Sequence, residues 1–394
     1  MARLGDVFEI QIAGEWGSEC TENETGTKVL RTTNFTPEGR INYDDVVVRS
    51  INESKVEKKR LHCGDIILEK SGGTEKTPVG RVVFCDESIE ESIYLCNNFT
   101  QAMRVNQTIA IPRYVFYFMW NLHCSGRTDL LQNKTTGIRN LQVKSYLNEE
   151  CPLPTLDEQR KIAAELDKVS ALIAKRRQQL DKLDEMVKAR FVEMFGTFPA
   201  NENGWPVGTI RDVIQEARYG SSRPAVEGGQ HPYLRMNNIT YSGELDLADI
   251  KQIDVPESEL PKCTVQRGDV LFNRTNSKEL VGKTCVYDRD EMMVLAGFVI
   301  RVRVNDRVLP EFLSAFLNTD FSKQMLLGMC KTAIGQANIN AQEMQNIKIY
   351  IPPVDLQINF VIFKQRVNKS KTTISSSLEK LETLKKTLMQ KYFG

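Results

Sequence analysis

The sequence predicts an α+β fold written twice. Two mixed α/β domains stand in pseudo-twofold repeat, separated by two long helices of coiled-coil character. Three observations predict this: a colinear internal repeat, short β-rich runs between turn residues, and two long stretches whose apolar residues alternate four and three apart. The expected boundaries are 1–151 for the first domain, 152–196 for the first long helix, 197–350 for the second domain and 351–394 for the second long helix.

The repeat places residues 4–196 over residues 210–394. LGDV (Leu4–Val7) meets IRDV (Ile210–Val213), and LRTTNF (Leu30–Phe35) meets LRMNNI (Leu234–Ile239). LHCGDIIL (Leu61–Leu68) meets VQRGDVLF (Val265–Phe272), and VGR at Val79 meets VGK at Val281. IRNL (Ile138–Leu141) meets QANI (Gln336–Ile339), PTLDEQ meets PPVDLQ, and FG at Phe195 meets the FG at Phe393. The order never changes while the offset drifts from 206 to 198, as short loop insertions would produce. The first copy lacks the GWPVGT lead-in (Gly204–Thr209) of the second, so it is expected to begin in abbreviated form.

Within each copy the runs DVVVRSI (45–51), GRVVFCD (80–86) and FVIRVRV (298–304) carry β-branched residues between Gly, Asn and Asp turns, and read as strands. LPEFLSAFLNT (309–319) has helical spacing. Each copy then ends in a proline followed by a long helix. Thr155-Leu-Asp-Glu158 matches a capping box, and Pro154 cannot continue a helix backward. Pro353 replaces the threonine in the second copy, so Asp355 is the expected cap there. The seam is expected along Ile162, Leu166, Val169, Ile173, Leu180 and Leu183 in the first helix. In the second it runs along Val367, Ile374, Leu378, Leu381 and Leu388. A 3.5-residue period held this long is the signature of coiled-coil packing.

Composition excludes several classes. With 41% hydrophobic and 26% charged residues the chain reads as soluble and globular, and no apolar run reaches the ~20 residues of a membrane span. The N-terminus shows no apolar segment with a cleavage site, so no secretion signal is expected. Nine scattered cysteines without a C-x-x-C pair, and three histidines, predict reduced thiols in a cytoplasmic protein and no metal site. Net charge is +1, but residues 358–394 carry eight Lys/Arg against two Glu, while residues 1–150 carry 18 against 21. The basic excess therefore sits on the last segment.

Two similar domains with a helical spacer suit a duplex target, since half-sites on duplex DNA present one chemistry twice. The order domain, PLPTLDEQRKI helix, domain, IPPVDLQ helix resembles the specificity subunit of type I restriction–modification systems. GEWGSE (14–19), YGSSRP (219–224), FNRTNS (272–277) and IGQANI (334–339) resemble loops of that family's target-recognition domains. The resemblance covers nearly the whole chain. It implies two target-recognition domains, each reading half of a bipartite, asymmetric sequence, and helices that form an antiparallel coiled coil fixing the spacing. It implies that this chain performs no chemistry and holds no cofactor. Its implied partners are double-stranded DNA, two modification (methyltransferase) subunits and two restriction (translocase/nuclease) subunits, with no membrane. S-adenosylmethionine, ATP and magnesium would serve those partners, in adenine-N6 methylation and phage defence.

The residues themselves agree. The lone Pro-Pro, in Ile351-Pro-Pro-Val354, lacks the amide and aromatic of a base-flipping methyltransferase loop, and no phosphate-loop motif is present. GDIILEK (64–70) has the carboxylates and lysine of a nuclease strand. The second copy replaces the glutamate by Asn273, which favours strand-edge charges instead.

Base edges are read by Arg, Lys, Asn and Gln, and phosphates are held by Ser, Thr and backbone amides. In the first domain these types gather at Glu15, Trp16 and Ser18, at Ser71, Thr74 and Lys76, and at Thr136, Arg139 and Asn140. In the second they gather at Tyr219, Ser221, Ser222 and Arg223, at Arg274, Thr275, Asn276 and Lys278, and at Gln336 and Asn338. The rival expectation is a duplicated coiled-coil scaffold without sequence-specific DNA binding, in which these loops are solvated turns.

Overall fold

The computed structural model describes residues 1–21, 25–74, 77–135, 138–333 and 336–394, with side chains omitted at 134, 135, 331–333 and 336. The chain divides into two units, residues 1–175 with 378–394 and residues 176–377. Both are assembled on one plan.

In the first unit a four-stranded antiparallel sheet runs Phe8–Ala13, Thr100–Val105, Ile66–Glu69, Val82–Phe84. A three-stranded sheet runs Val47–Arg49, Thr27–Leu30, Tyr94–Cys96, and another runs Gln132–Thr135, Ile138–Leu141, Ser71–Gly73. The second unit repeats the first sheet as Ile214–Tyr219, Val299–Val304, Val270–Asn273, Thr284–Val286. Its second sheet gains a strand: Lys251–Ile253, His231–Leu234, Met293–Leu295, Thr264–Val265. Its third sheet is Thr275–Asn276, Gln336–Asn338, Lys331–Ala333. Even the irregularities match, since the register shifts at Phe8/Ile10 and again at Ile214/Glu216.

The GD strands are apolar without alternation because both of their faces are covered. Ile66 and Leu68 pack with helix Pro112–Cys124, whereas Ile67 joins Leu30, Val83 and Tyr94 on the other side. Val270 and Phe272 likewise face helix Pro310–Leu317, and Leu271 joins Leu234 and Leu295. The aspartate that opens each strand is buried and paired: Asp65 with Arg104 (2.8 and 2.9 Å), Asp269 with Arg303 (2.8 and 3.5 Å). Glu69 is not a strand-edge charge. Its strand is internal to the sheet, and the buried carboxylate accepts two 2.9 Å bonds from Arg81. Arg81 also donates to the Thr32 carbonyl (3.2 Å), and Lys283 in the second copy donates to the matching carbonyl of Met236 (3.0 Å). The second copy thus keeps a basic residue on that carbonyl but has Asn273 where the first has Glu69.

The long helices span Leu156–Phe195 and Val354–Phe393. The first starts on its capping box: Thr155 Oγ1 accepts from the Glu158 amide (3.3 Å) and Glu158 Oε2 accepts from the Thr155 amide (3.0 Å). The second begins at Val354, two residues earlier than an Asp355 cap would require, which puts Pro353 at the cap position. Asp355 lies inside the first turn, where its charge meets the positive end of the helix dipole.

The motif's glutamine is the firmer anchor. Gln159, fully buried, accepts from the Ile111 amide (2.9 Å) and donates to the carbonyls of Pro154 (2.9 Å) and Ile109 (3.3 Å). Gln357 repeats this with the Leu309 amide (2.8 Å) and the carbonyls of Pro352 (2.9 Å) and Arg307 (3.1 Å).

In the first unit Ile162, Leu166, Val169 and Ile173 share a core with Leu378, Leu381, Leu388 and Tyr392, and Tyr392 Oη donates to Glu165 (2.6 Å). In the second, Phe191 and Phe195 stack edge-on against Phe360 (5.3 and 5.7 Å), and Lys371 donates to Asp184 (2.8 Å). In each unit the early part of one helix meets the late part of the other, so the two pack antiparallel. Val367 is buried, while Leu180, Leu183 and Ile374 are half-buried.

Candidate nucleic-acid interface

Each domain brings its candidate stretches to one set of strand ends. After the edge strand Phe8–Ala13 the chain turns at Gly14, and after Ile214–Tyr219 it turns at Gly220. Both must be glycine: a Cβ would lie 1.8 Å from the Asn97 carbonyl oxygen and 2.1 Å from that of Leu295. That close approach lets Glu15 and Ser221 donate their amides to the carbonyls of Cys96 (2.8 Å) and Leu295 (2.6 Å). The loop following each edge strand is thereby tied to the strand end beside it.

The other two stretches pair with each other. Ser71–Gly73 lies beside Ile138–Leu141, with Ser71 opposite Asn140 and Arg139 opposite Gly73. Thr275–Asn276 lies beside Gln336–Asn338, with Thr275 opposite Asn338. A hydroxyl therefore meets an asparagine at the same place in both copies: Ser71 Oγ donates to Asn140 Oδ1, and Thr275 Oγ1 to Asn338 Oδ1 (3.4 Å). Each of these asparagines keeps an amide group with further donors, the chemistry that reads an adenine edge.

Arg274 lies over the Tyr219 ring at 4.8 Å, and its Nη1 donates to the Gly297 carbonyl at 3.4 Å, long for such a bond. Its buried Nε has no hydrogen-bond partner. Tyr219 is itself held, because its hydroxyl accepts from the Ala341 amide (2.9 Å). The result is a positioned guanidinium with unused donors. Asn276 Oδ1 accepts from the Ser277 amide (2.9 Å), and Ser221 is buried, its hydroxyl accepting from the Arg223 amide (3.2 Å). Ser18, Thr74, Ser222 and Lys278 are exposed.

Two candidates are already committed to ion pairs. Glu15 receives Lys59 (2.8 Å) and Lys55 (3.3 Å), and the Lys59 hydrogen bond holds its carboxyl below the usual range. Arg223 grips Glu259 through two bonds (2.8 and 3.2 Å), which lowers that carboxyl in turn. Trp16 is half-buried with the Arg49 guanidinium 4.3 Å above its ring. Sequence reasoning missed Arg49, Lys55 and Lys59. They lie on or beside helix Glu53–Lys59, whose cap Asn52 accepts from the Ser54 amide (3.0 Å); an Asn-x-Ser start before a lysine-rich run could have marked that helix, but not the loop it faces. Lys76 and Thr136 lie outside the described residues, and Gln336 is described by its backbone alone.

Among the described residues no cluster of His, Cys, Asp and Glu is placed to hold a metal ion, and no helix is long and apolar enough to cross a membrane. The model of the type I restriction modification DNA specificity domain matches this chain twice, over residues 1–184 and 202–385. The chain is similar to the EcoKI specificity subunit of Escherichia coli K12, with 24% identity over 93% of this chain and 81% of that protein. It is also similar to the StySPI specificity subunit of Salmonella potsdam, with 22% identity and the same coverages. Its fold matches the crystal structure of a type I restriction–modification S subunit from M. genitalium, with TM-score 0.54, 13% identity, and coverage of 100% of this chain and 95% of that one.

Proposed function

This chain belongs to the type I restriction–modification DNA specificity family, and from that premise we propose that it is the subunit that reads a bipartite, asymmetric DNA site for such a complex. Each domain reads one half through its three converging stretches. Modification subunits dock on the chain and supply S-adenosylmethionine-dependent adenine-N6 methylation. Restriction subunits add cleavage driven by ATP and magnesium, with two copies of each expected. The chain itself contributes recognition and no chemistry.

The observation that carries this reading is the repeated constellation. The hydroxyl–asparagine pair recurs as Ser71–Asn140 and Thr275–Asn338 on the same strands. The residues around it differ, Glu15 and Trp16 standing where Ser221 and Ser222 stand. One scaffold with two non-identical reading surfaces is what an asymmetric two-part site requires. The scaffold reading leaves that pairing without a purpose.

The test is co-expression with the modification subunits, followed by mapping of N6-methyladenine across the host genome. One split sequence should carry the mark. Methylation that is random, or absent from a complex shown to be intact, would refute the proposal.

A further inference from the structure

The sheet topology places one aromatic side chain at the meeting point of the three stretches in each domain. Thr100 donates its amide to the Asn97 carbonyl (3.0 Å), and Val299 donates to that of Ala296 (2.9 Å). Each bond closes a four-residue turn just before a matching strand. The third residue of both turns is phenylalanine, Phe99 and Phe298.

The two positions are equivalent by register. Thr100 sits opposite Glu69 and Val299 opposite Asn273, the last residues of the two GD strands. The Phe99 carbonyl accepts from the amides of Lys70 (2.9 Å) and Ser71 (3.1 Å), and the Phe298 carbonyl accepts from the amide of Arg274 (3.0 Å). On the other side Gly297 donates to the Ser221 carbonyl (2.7 Å). Both phenylalanines are thus fixed by their backbone to the candidate reading surface, yet they stand 46% and 53% exposed.

A single exposed aromatic needs no explanation. Two at the same turn position, in copies whose surrounding loops have diverged, do. Neither ring can hold a phosphate, and the neighbouring stretches already provide cations, amides and hydroxyls for polar groups. The aromatics of those stretches are already covered, Trp16 by the Arg49 guanidinium and Tyr219 by that of Arg274, so an uncovered apolar contact falls to Phe99 and Phe298. We infer that Phe99 and Phe298 each seat against a base in the half-site read by their own domain, a role that rests on the function proposed above. The apolar surface they would meet is either a thymine methyl or the face of a base parted from its neighbour.

The test uses the full chain with its modification subunits and a duplex bearing the sequence mapped by N6-methyladenine. Phe99 or Phe298 is replaced by p-benzoylphenylalanine and the complex is irradiated. Cross-links should fall on bases of one half-site for position 99 and of the other for position 298. Phe298→Ala and Phe99→Ala should each weaken binding roughly tenfold to a hundredfold, the range for an aromatic lost from a base, while Phe298→Trp retains it. Uracil in place of thymine, or permanganate sensitivity lost in the alanine variants, tells methyl contact from unstacking. Wild-type affinity in both alanine variants, or cross-links to polypeptide alone, would overturn the inference while leaving the functional reading intact. Absence of site-specific methylation by an intact complex would overturn both.

Discussion

Single side chains divide into those bound up in the fold and those left with capacity. Arg274 is of the second kind, half-buried over Tyr219 and held at Nη1 by a single long bond to the Gly297 carbonyl (3.4 Å). Arg274→Ala should weaken binding of the methylated sequence by about 1–3 kcal/mol and leave random-sequence duplex nearly unaffected. Competition binding against both duplexes measures the difference, and equal losses would reassign the residue to a phosphate. Lys323 is of the first kind. Its ammonium donates to the Gly282 carbonyl (2.8 Å) beside the Tyr241 ring, and burial, with Lys188 and Lys283 near, pushes its pKa down to about 7. The unfolded chain keeps that proton to about pH 10. Between pH 7 and 10 the unfolded state therefore binds more protons, and this lysine makes the second unit more stable as pH rises. Lys323→Met should flatten that slope and raise stability near neutrality. Urea midpoints at pH 7 and pH 9 read both effects, and an unchanged slope would show that Lys323 keeps its charge when folded.

Elements were legible where local chemistry decided them. The Thr155–Glu158 cap, the strands Val47–Arg49, Val82–Phe84 and Val299–Val304, and helix Pro310–Leu317 all follow from short patterns. What the patterns could not carry was the partner of each group. Glu69 resembled a surface charge because nothing local names Arg81, twelve residues on, as its buried counter-ion. The FG landmark became intelligible only as packing: Phe195 lies against Phe312 (5.0 Å), and Phe393 against the matching Tyr114 (5.2 Å). The glutamine of each helix start likewise pins the long helix to the segment leading into the helix at Pro112 or Pro310. Gln159→Ala and Gln357→Ala each leave a buried amide unpaired, at a cost of about 1–3 kcal/mol per group. Denaturant unfolding should show a loss in that range for either variant. A loss confined to a few tenths would mean that water replaces the side chain and that the prolines alone set the helix start.

At the scale of the whole molecule, duplication is the fact from which the rest follows, and departures from it are the informative features. The domain plans, the buried Asp–Arg pairs and the glutamine anchors are kept in both copies, whereas charge is not. The first long helix carries nine Lys/Arg and eight Asp/Glu, yet the second carries eight against three. Part of that excess is absorbed internally, by Asp184 and Glu244 around Lys371 and by the Trp120 ring 3.5 Å from Lys385. Arg366, Lys369, Lys380, Lys386 and Lys391 remain exposed. A copy that gains unbalanced cations on its solvent side after duplication gains attraction for an anion, and the two available are the DNA backbone and an acidic partner surface. Salt tells them apart, because each phosphate neutralised contributes about 0.9 to the slope of log K against log salt. Replacing Arg366, Lys369 and Lys380 with glutamine should lower that slope by up to about 2.7 if all three touch phosphate. An unchanged slope, together with weaker recovery of the modification subunits on purification, would assign the basic face to a protein partner instead.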